Sequence, residues 1–267
     1  QANLLAMLQV IAPALALDPP ITSHPDGFRH RLRLLVTRNA DRSYSLGLRQ
    51  RRSHAAAGLQ HCLVANAAVN TLLHALPGML LRAPDLQGLR EIEIDADSNN
   101  QLGLCFYFAA RPGEKVLSAL RAAVLVGSVI ALRVRLITPR KSRGEVQYDE
   151  AGSEDAAQWK ELHVEGELCL KLEVPATHDR VSMAALELAY LPGDFTQTNW
   201  AANAALLVRT LDWLRPHSDE NAIDLFAGIG NFSLPLARRA KTVLALEGDS
   251  HMVGRIVANA GSNALGN

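Results

Sequence analysis

The chain has no surplus of either charge: 27 Lys and Arg face 27 Asp and Glu in 267 residues. A zero sum supplies no overall pull on phosphates and, at first sight, argues against a nucleic-acid binder. Cysteine is scarce too. Cys62, Cys105 and Cys169 are odd in number, widely spaced and form no C-x-x-C pair, which excludes a disulfide framework and predicts reduced thiols in a cytoplasmic protein. No apolar run reaches the ~18–20 residues of a membrane span. The apolar-rich start lacks a basic leader and carries Gln9, so a packed amphipathic helix with Leu4, Leu5, Leu8 and Ile11 on one side is expected, not a signal peptide. No internal repeat and no low-complexity tract occur. What is present is an apolar share of 48%, which excludes disorder, and a length that predicts about two domains.

Along the chain the pattern changes near Arg29 from helical to alternating. Arg29, Arg31 and Arg33 alternate with His30, Leu32 and Leu34, so a strand would put the arginines on one face. A turn at Asn39–Arg42 and a second alternating run, Tyr44–Arg49, complete a hairpin. A helix is expected from about Ala65 to Leu76, strands at Glu91–Ala96 and Leu102–Ala109, a helix at Glu114–Leu125 and a strand at Val129–Ile137. Pro139–Asp155 reads as an exposed loop, followed by strands at Glu167–Val174 and Ala184–Tyr190. This makes residues 1–190 an α+β central domain with a largely antiparallel sheet. Past Pro192 a helix, Asn199–Leu214, leads to strand Ala222–Phe226, a glycine loop, helix Phe232–Arg239, strand Thr242–Leu246 and a helix from Ser250. Residues 191–267 thus read as the opening β-α-β of an α/β, Rossmann-like sheet.

The charges are unevenly spread. Between Arg29 and Arg52 there are eight arginines and one acid, Asp41, whereas acids gather at Glu91–Asp97 and Glu145–Glu173. The hairpin is either a solvated face or a phosphate-contacting one; arginine throughout, with its planar fork of donors, favours nucleic acid. On that reading the charge is segregated though the sum is zero.

The glycine loop carries the most chemistry. After the strand ending at Phe226, Gly228 and Gly230 let the backbone turn tightly and approach a ligand. Glu247 follows at the end of the next strand, where a carboxylate can accept hydrogen bonds from both hydroxyls of a ribose. A nicotinamide fingerprint would need a third glycine at Ser233, which is absent. Asp224 ahead of the G-x-G suits a cationic adenosyl sulfonium with no pyrophosphate, and S-adenosylmethionine is the expected ligand. The alternative is a tight strand-to-helix turn that binds nothing.

These segments resemble the RNA uridine-5-methyltransferase family. Asp224–Ala237 followed by Val243–Gly248 is similar to its first methyltransferase motif and the next strand, and Gly193-Asp-Phe-Thr-Gln-Thr-Asn199 to its F-x-Q-x-N segment. Gly27-Phe-Arg-His-Arg31 resembles its Y-R-x-R start, and Asn259 and Asn263 fit its N-A-x-x-N. The resemblance implies a class I S-adenosylmethionine-dependent domain, action on 23S rRNA with no protein partner, RNA contact through Arg29, Arg31 and Arg33, and Gln197, Phe226, Asn231 and Glu247 at the methyl donor, beside Asp224, Gly228 and Gly230. Asn231 could instead cap a helix, and Phe226 could simply pack. Large-subunit rRNA members carry a 4Fe–4S cluster on four cysteines, and Gln60-His-Cys62 matches the fourth; Cys62 alone is otherwise a buried thiol, as Cys105 and Cys169 read as core.

The resemblance further implies covalent chemistry. A cysteine thiolate adds at C6 of uracil, C5 attacks the methyl group, and a base removes the C5 proton, all on a base extruded from its stack. None of the three cysteines matches that nucleophile, so no catalytic residue is assigned. The chain begins at Gln1 and ends at Asn267, 37 residues past Gly230, which reads as an inactive fragment cut at both ends, with two strands exposing an apolar edge. A tRNA uridine-5-methyltransferase, a non-catalytic RNA-binding remnant and a small-molecule methyltransferase are the competing readings.

Overall fold

The computed structural model describes residues 18–49, 56–83, 86–137, 159–173 and 184–267. The expected first helix, the Pro139–Asp155 loop, Arg51 and Arg52 lie outside them. Within them a seven-stranded sheet has the order β3-β2-β1-β4-β5-β6-β7, from β1 (Arg31–Arg38), β2 (Tyr44–Arg49), β3 (Ala56–Gly58), β4 (Leu89–Ala96), β5 (Leu102–Phe108), β6 (Val129–Ile137) and β7 (Trp159–Glu165). Only β5 and β6 run parallel, joined through helix α2 (Glu114–Val124), so the sheet is largely antiparallel as the patterning predicts. Two strands, β3 and β7, were not legible. Helix α1 (Ala67–Leu80) also runs on through Pro77, past the expected end at Leu76. The proline removes one backbone hydrogen bond, but the turn it opens buries Met79 and Leu80.

The sheet has two unlike faces. Leu32, Leu34, Ile92, Ile94, Leu104, Phe106 and Phe108 point to α1 and α2 and form the main core. Every residue of β5 is buried, including Gly103, Cys105 and Tyr107, which alternate onto the opposite face. There the sheet is covered by the hairpin of β8 (Leu168–Leu172) and β9 (Leu186–Tyr190) and by the segment after it. Gly103 permits this approach: a Cβ there would come within 2.6 Å of Pro192 Cγ and 2.8 Å of Leu168 Cδ1.

Beyond the hairpin, helix α3 (Trp200–Leu214) precedes β10 (Asn221–Leu225), α4 (Ser233–Ala237), β11 (Thr242–Leu246) and α5 (Ser250–Ser262). β10 and β11 pair in parallel, Asn221 opposite Thr242 through Leu225 opposite Leu246. Ala222 and Val243 pack toward Leu211 and Leu236. On the other face Ile223, Leu225, Leu244 and Leu246 are 47–64% exposed, so the apolar surface expected at an edge is a whole sheet face.

Helix α5 meets the hairpin through asparagines. Asn259 accepts from the Ala189 N–H at 2.9 Å and donates to its carbonyl at 3.2 Å; Asn263 treats Glu187 likewise at 3.0 and 2.7 Å. Four residues of helix rise about 6 Å and two of strand about 6.8 Å, so this spacing lets two side chains complete the open edge of β9. Asn259, 1% exposed, also donates to the Ile229 carbonyl in the glycine loop. Replacing Asn259 with alanine is expected to cost about 1–3 kcal/mol, because buried backbone groups lose their partner; the shift in urea midpoint measures it.

Candidate functional site

The loop after β10 is built as its glycines require. Phe226 has φ 61°, Gly228 59° and Gly230 98°. A Cβ at Gly230 would lie 2.3 Å from Leu234 Cδ1, so this glycine lets α4 close on the loop, whereas nothing lies within 4 Å of one at Gly228. Phe226 is 91% exposed, its ring projecting from the strand end and not packed inside. Glu247 reaches back across the loop: Oε2 accepts from the Gly228 N–H at 2.9 Å and Oε1 from the Asp249 N–H at 3.0 Å. The carboxylate is thereby fixed at the mouth of the loop.

Two residues of the expected set are occupied by the protein itself. Asn231 and Asn203 exchange paired amide hydrogen bonds of 2.8 and 2.9 Å, tying the loop to α3. The alternative of a helix cap fails, since the cap position of α4 is Phe232. Asp224 accepts from Ser233 Oγ at 2.6 Å, and burial pushes its carboxyl upward despite that bond.

The Gly27–Arg31 and Gly193–Asn199 segments, far apart in sequence, are neighbours. Arg29 bridges to Asn199, and the His30 N–H donates to the Thr198 carbonyl at 3.1 Å. The His30 ring stacks on Trp200 with centroids 3.5 Å apart. Burial holds His30 down at about 4, so its neutral Nδ1 accepts from the Asn66 amide at 2.9 Å. Asn199 caps α3 by accepting from the Ala202 N–H. Half-buried Gln197 sits in this braced segment.

The expected separation of charge is corrected by the register. Arg31 lies opposite Asp95 and Arg33 opposite Glu93, so the acids counted as lying elsewhere share the arginines' face. Arg31 pairs with Glu93 and, at 3.5 Å, with Asp95; Arg33 pairs with Glu91 at 2.5 Å and stacks 4.1 Å over the Tyr107 ring. β1 therefore presents a neutralised ionic face where an open phosphate-binding one was expected. Of the three arginines, Arg29 has no ion pair among the described residues, and its Nε has no hydrogen-bond partner there.

That ionic face continues into a clasp that sequence reasoning missed. Asp194, fully buried, accepts from Arg133 Nη1 at 2.5 Å, from the Leu191 N–H at 2.9 Å and from His251 Nε2 at 3.2 Å. Arg31 donates to the Asp194 carbonyl at 2.8 Å, and Asp95 accepts from the Gly193 N–H at 2.9 Å. Burial alone would raise the Asp194 carboxyl; the His251 hydrogen bond and the Arg133 charge overcome it and hold the group at about 2.

Cys62 is buried, with its N–H and carbonyl both bonded to the Asn70 amide. Among the described residues no three His, Cys, Asp or Glu side chains converge to hold a metal. A lone buried thiol does not fit a four-thiolate cluster. Cys105 is core as expected, but Cys169 is only half-buried.

A parallel strand pair joined by a glycine loop and helix, with an acid closing the loop from the second strand, defines the front of a Rossmann-like class I unit behind a largely antiparallel sheet. A solved structure of this fold is the tRNA (uracil-54, C5)-methyltransferase of Pyrococcus abyssi in complex with S-adenosyl-L-homocysteine: TM-score 0.61, 15% identity, covering 93% of this chain and 55% of that one. Residues 167–267 match the family model tRNA (Uracil-5-)-methyltransferase. The chain is 32% identical over 250 residues to the 23S rRNA (uracil(1939)-C(5))-methyltransferase RlmD of Pseudomonas fluorescens Pf-5, covering 93% of this chain and 48% of that protein. To its counterpart in Vibrio cholerae it is 30% identical over 265 residues, covering 98% and 52%. The chain belongs to the RNA uridine-5-methyltransferase family and spans about half the length of the curated relatives it matches.

Proposed function

We propose that the protein is a cytoplasmic S-adenosylmethionine-dependent enzyme that methylates C5 of a uridine in 23S rRNA, with residues 1–190 as its RNA-facing domain and 191–267 as the front of its donor-binding domain. The β8–β9 hairpin bridges the two, since its core includes Ala131 on one side and Ile229, Leu234 and Met252 on the other. The donor, when bound, supplies an electrophilic methyl group on a sulfonium. The observation that carries the reading is Glu247, held by the Gly228 and Asp249 amides at the mouth of the loop beside the exposed Phe226 ring. Glu247 would accept from the ribose hydroxyls, Phe226 would cover the adenine, and open space at Gly228 would admit the nucleoside. Gln197 lies in the braced segment and would face the methionine end, with Asp224 supplying negative charge. Asn231 would serve by fixing the loop through Asn203. RNA phosphate contact falls to Arg29 in preference to Arg31 and Arg33, whose charges are already matched.

Calorimetric titration with S-adenosyl-L-homocysteine tests the donor site. Glu247→Ala is expected to weaken binding about 10- to 150-fold, the range for losing hydrogen bonds to a charged acceptor. Unchanged affinity would remove the reading. A tRNA substrate is the second reading, favoured by the family model's description and by the Pyrococcus relative. The identity to rRNA enzymes over 93% of the chain outweighs it, and competition between 23S rRNA and tRNA in filter binding decides. A 4Fe–4S cluster stays outside the proposal, because among the described residues only Cys62 stands where one is implied.

A further inference from the structure

Helix α5 is fastened by four side chains spaced four apart: His251, Arg255, Asn259 and Asn263. The last three reach the β8–β9 hairpin or the turn entering it, Arg255 through Glu167 at 2.6 Å. His251 alone of the four leaves the hairpin and meets Asp194, with Nε2 3.2 Å from both carboxylate oxygens.

This contact sits between the two halves of the donor site. On one side Asp194 is three residues before Gln197, and Arg133, Arg31 and Asp95 hold it to the central sheet. On the other, the His251 N–H donates to Asp249 Oδ1 at 2.8 Å, and the Asp249 N–H donates to Glu247. A short relay thus runs Glu247, Asp249, His251, Asp194. We propose that His251 is a positioning residue for the methyl-donor site, latching the Glu247 strand end to the Gln197 segment through its contact with Asp194.

The two ends of the contact are held independently. Asp194 is fully buried and fixed from the central sheet by Arg133 at 2.5 Å, by the Leu191 N–H and by Arg31 on its carbonyl. Arg255, Asn259 and Asn263 keep α5 on the hairpin whether or not His251 is present. Removing the imidazole therefore releases α5 only where it meets the segment that carries Gln197.

The proposal rests on the donor-site reading, and one experiment separates their failures. S-adenosyl-L-homocysteine affinity is measured by calorimetry for the wild type, His251→Ala, His251→Gln and Arg255→Ala. His251→Ala is expected to bind about fivefold more weakly, the loss of one hydrogen bond, and His251→Gln, which keeps a donor toward Asp194, to recover most of that affinity. Arg255→Ala, which loosens the same helix at its exposed contact with Glu167, should bind like the wild type. If His251→Ala binds like the wild type, if His251→Gln fails to recover affinity, or if Arg255→Ala weakens binding as much as His251→Ala, the latch is wrong. If the wild type does not bind, the donor site itself falls, and the latch with it.

Discussion

Replacing Asp194 with alanine is expected to destabilise the fold by about 3 kcal/mol, the low end of the range for breaking a buried ion pair, because Arg133 keeps its bond to Glu161 at 2.7 Å. Asp194 is 0% exposed and Arg133 2%, so neither can recover solvation when the other is removed. The same substitution frees the Leu191 N–H and the His251 ring, and Gly193 sits where Cys105 and Tyr107 leave no room for adjustment. Burial of the pair alone would not make it stabilising relative to a hydrophobic replacement, so the expected loss is that of a half-removed pair. The sign of the pH dependence follows from the carboxyl itself. Its folded-state value, about 2, lies below the ordinary 3.8, so its contribution is present above about pH 4 and is lost as pH falls toward 2. Urea unfolding at pH 7 and at pH 3 should therefore show the gap between wild type and Asp194→Ala narrowing in acid. A loss under about 1 kcal/mol, the usual range for an exposed pair, would show that the clasp is solvated.

The clasp illustrates what was and was not legible. The glycine loop could be read because each requirement is local: an apolar strand, Gly228 and Gly230 where the backbone turns left-handed, and Glu247 at the next strand end. The register of β1 against β4 could not. Alternation correctly placed Arg31 and Arg33 on one face, but which strand pairs with β1 is a property of the whole sheet, and pairing with β4 set Glu91, Glu93 and Asp95 among them. Counting charge along the chain therefore found segregation where the fold produces neutralisation. β7 escaped for a related reason. A register shift between Val134 and Arg135 breaks its alternation, so Trp159–Glu165 mixes charged and apolar residues without a period. The α5 stripe was half legible: Asn259 and Asn263 stood out as a family motif, whereas His251 and Arg255, two further steps of four toward the N-terminus, lead to partners 57 and 88 residues away.

The 267-residue chain by itself is expected to transfer no methyl group from labelled S-adenosylmethionine to 23S rRNA above a protein-free blank, while still binding S-adenosyl-L-homocysteine. C5 of uracil needs a thiolate at C6 to become nucleophilic, and the three thiols available are all committed to other surroundings. Cys105 lies in the middle of β5, and burial pushes its thiol up to about 12, so it is protonated at neutral pH and walled off by Gly193. Cys169 is on β8 with its thiol also raised by burial. Cys62 is packed in the core of the central sheet beneath the Asn70 amide. None stands in the loop that Glu247 closes. The chain spans about half the length of the curated relatives it matches, and under the proposed function its residues bind and position the donor. Turnover by this chain would mean that a group other than these thiols activates the base, and the covalent route would have to be abandoned. Binding of RNA with no binding of S-adenosyl-L-homocysteine would instead favour a non-catalytic RNA-binding protein. Donor binding without turnover is the outcome expected from the position of Glu247 and the burial of Cys105.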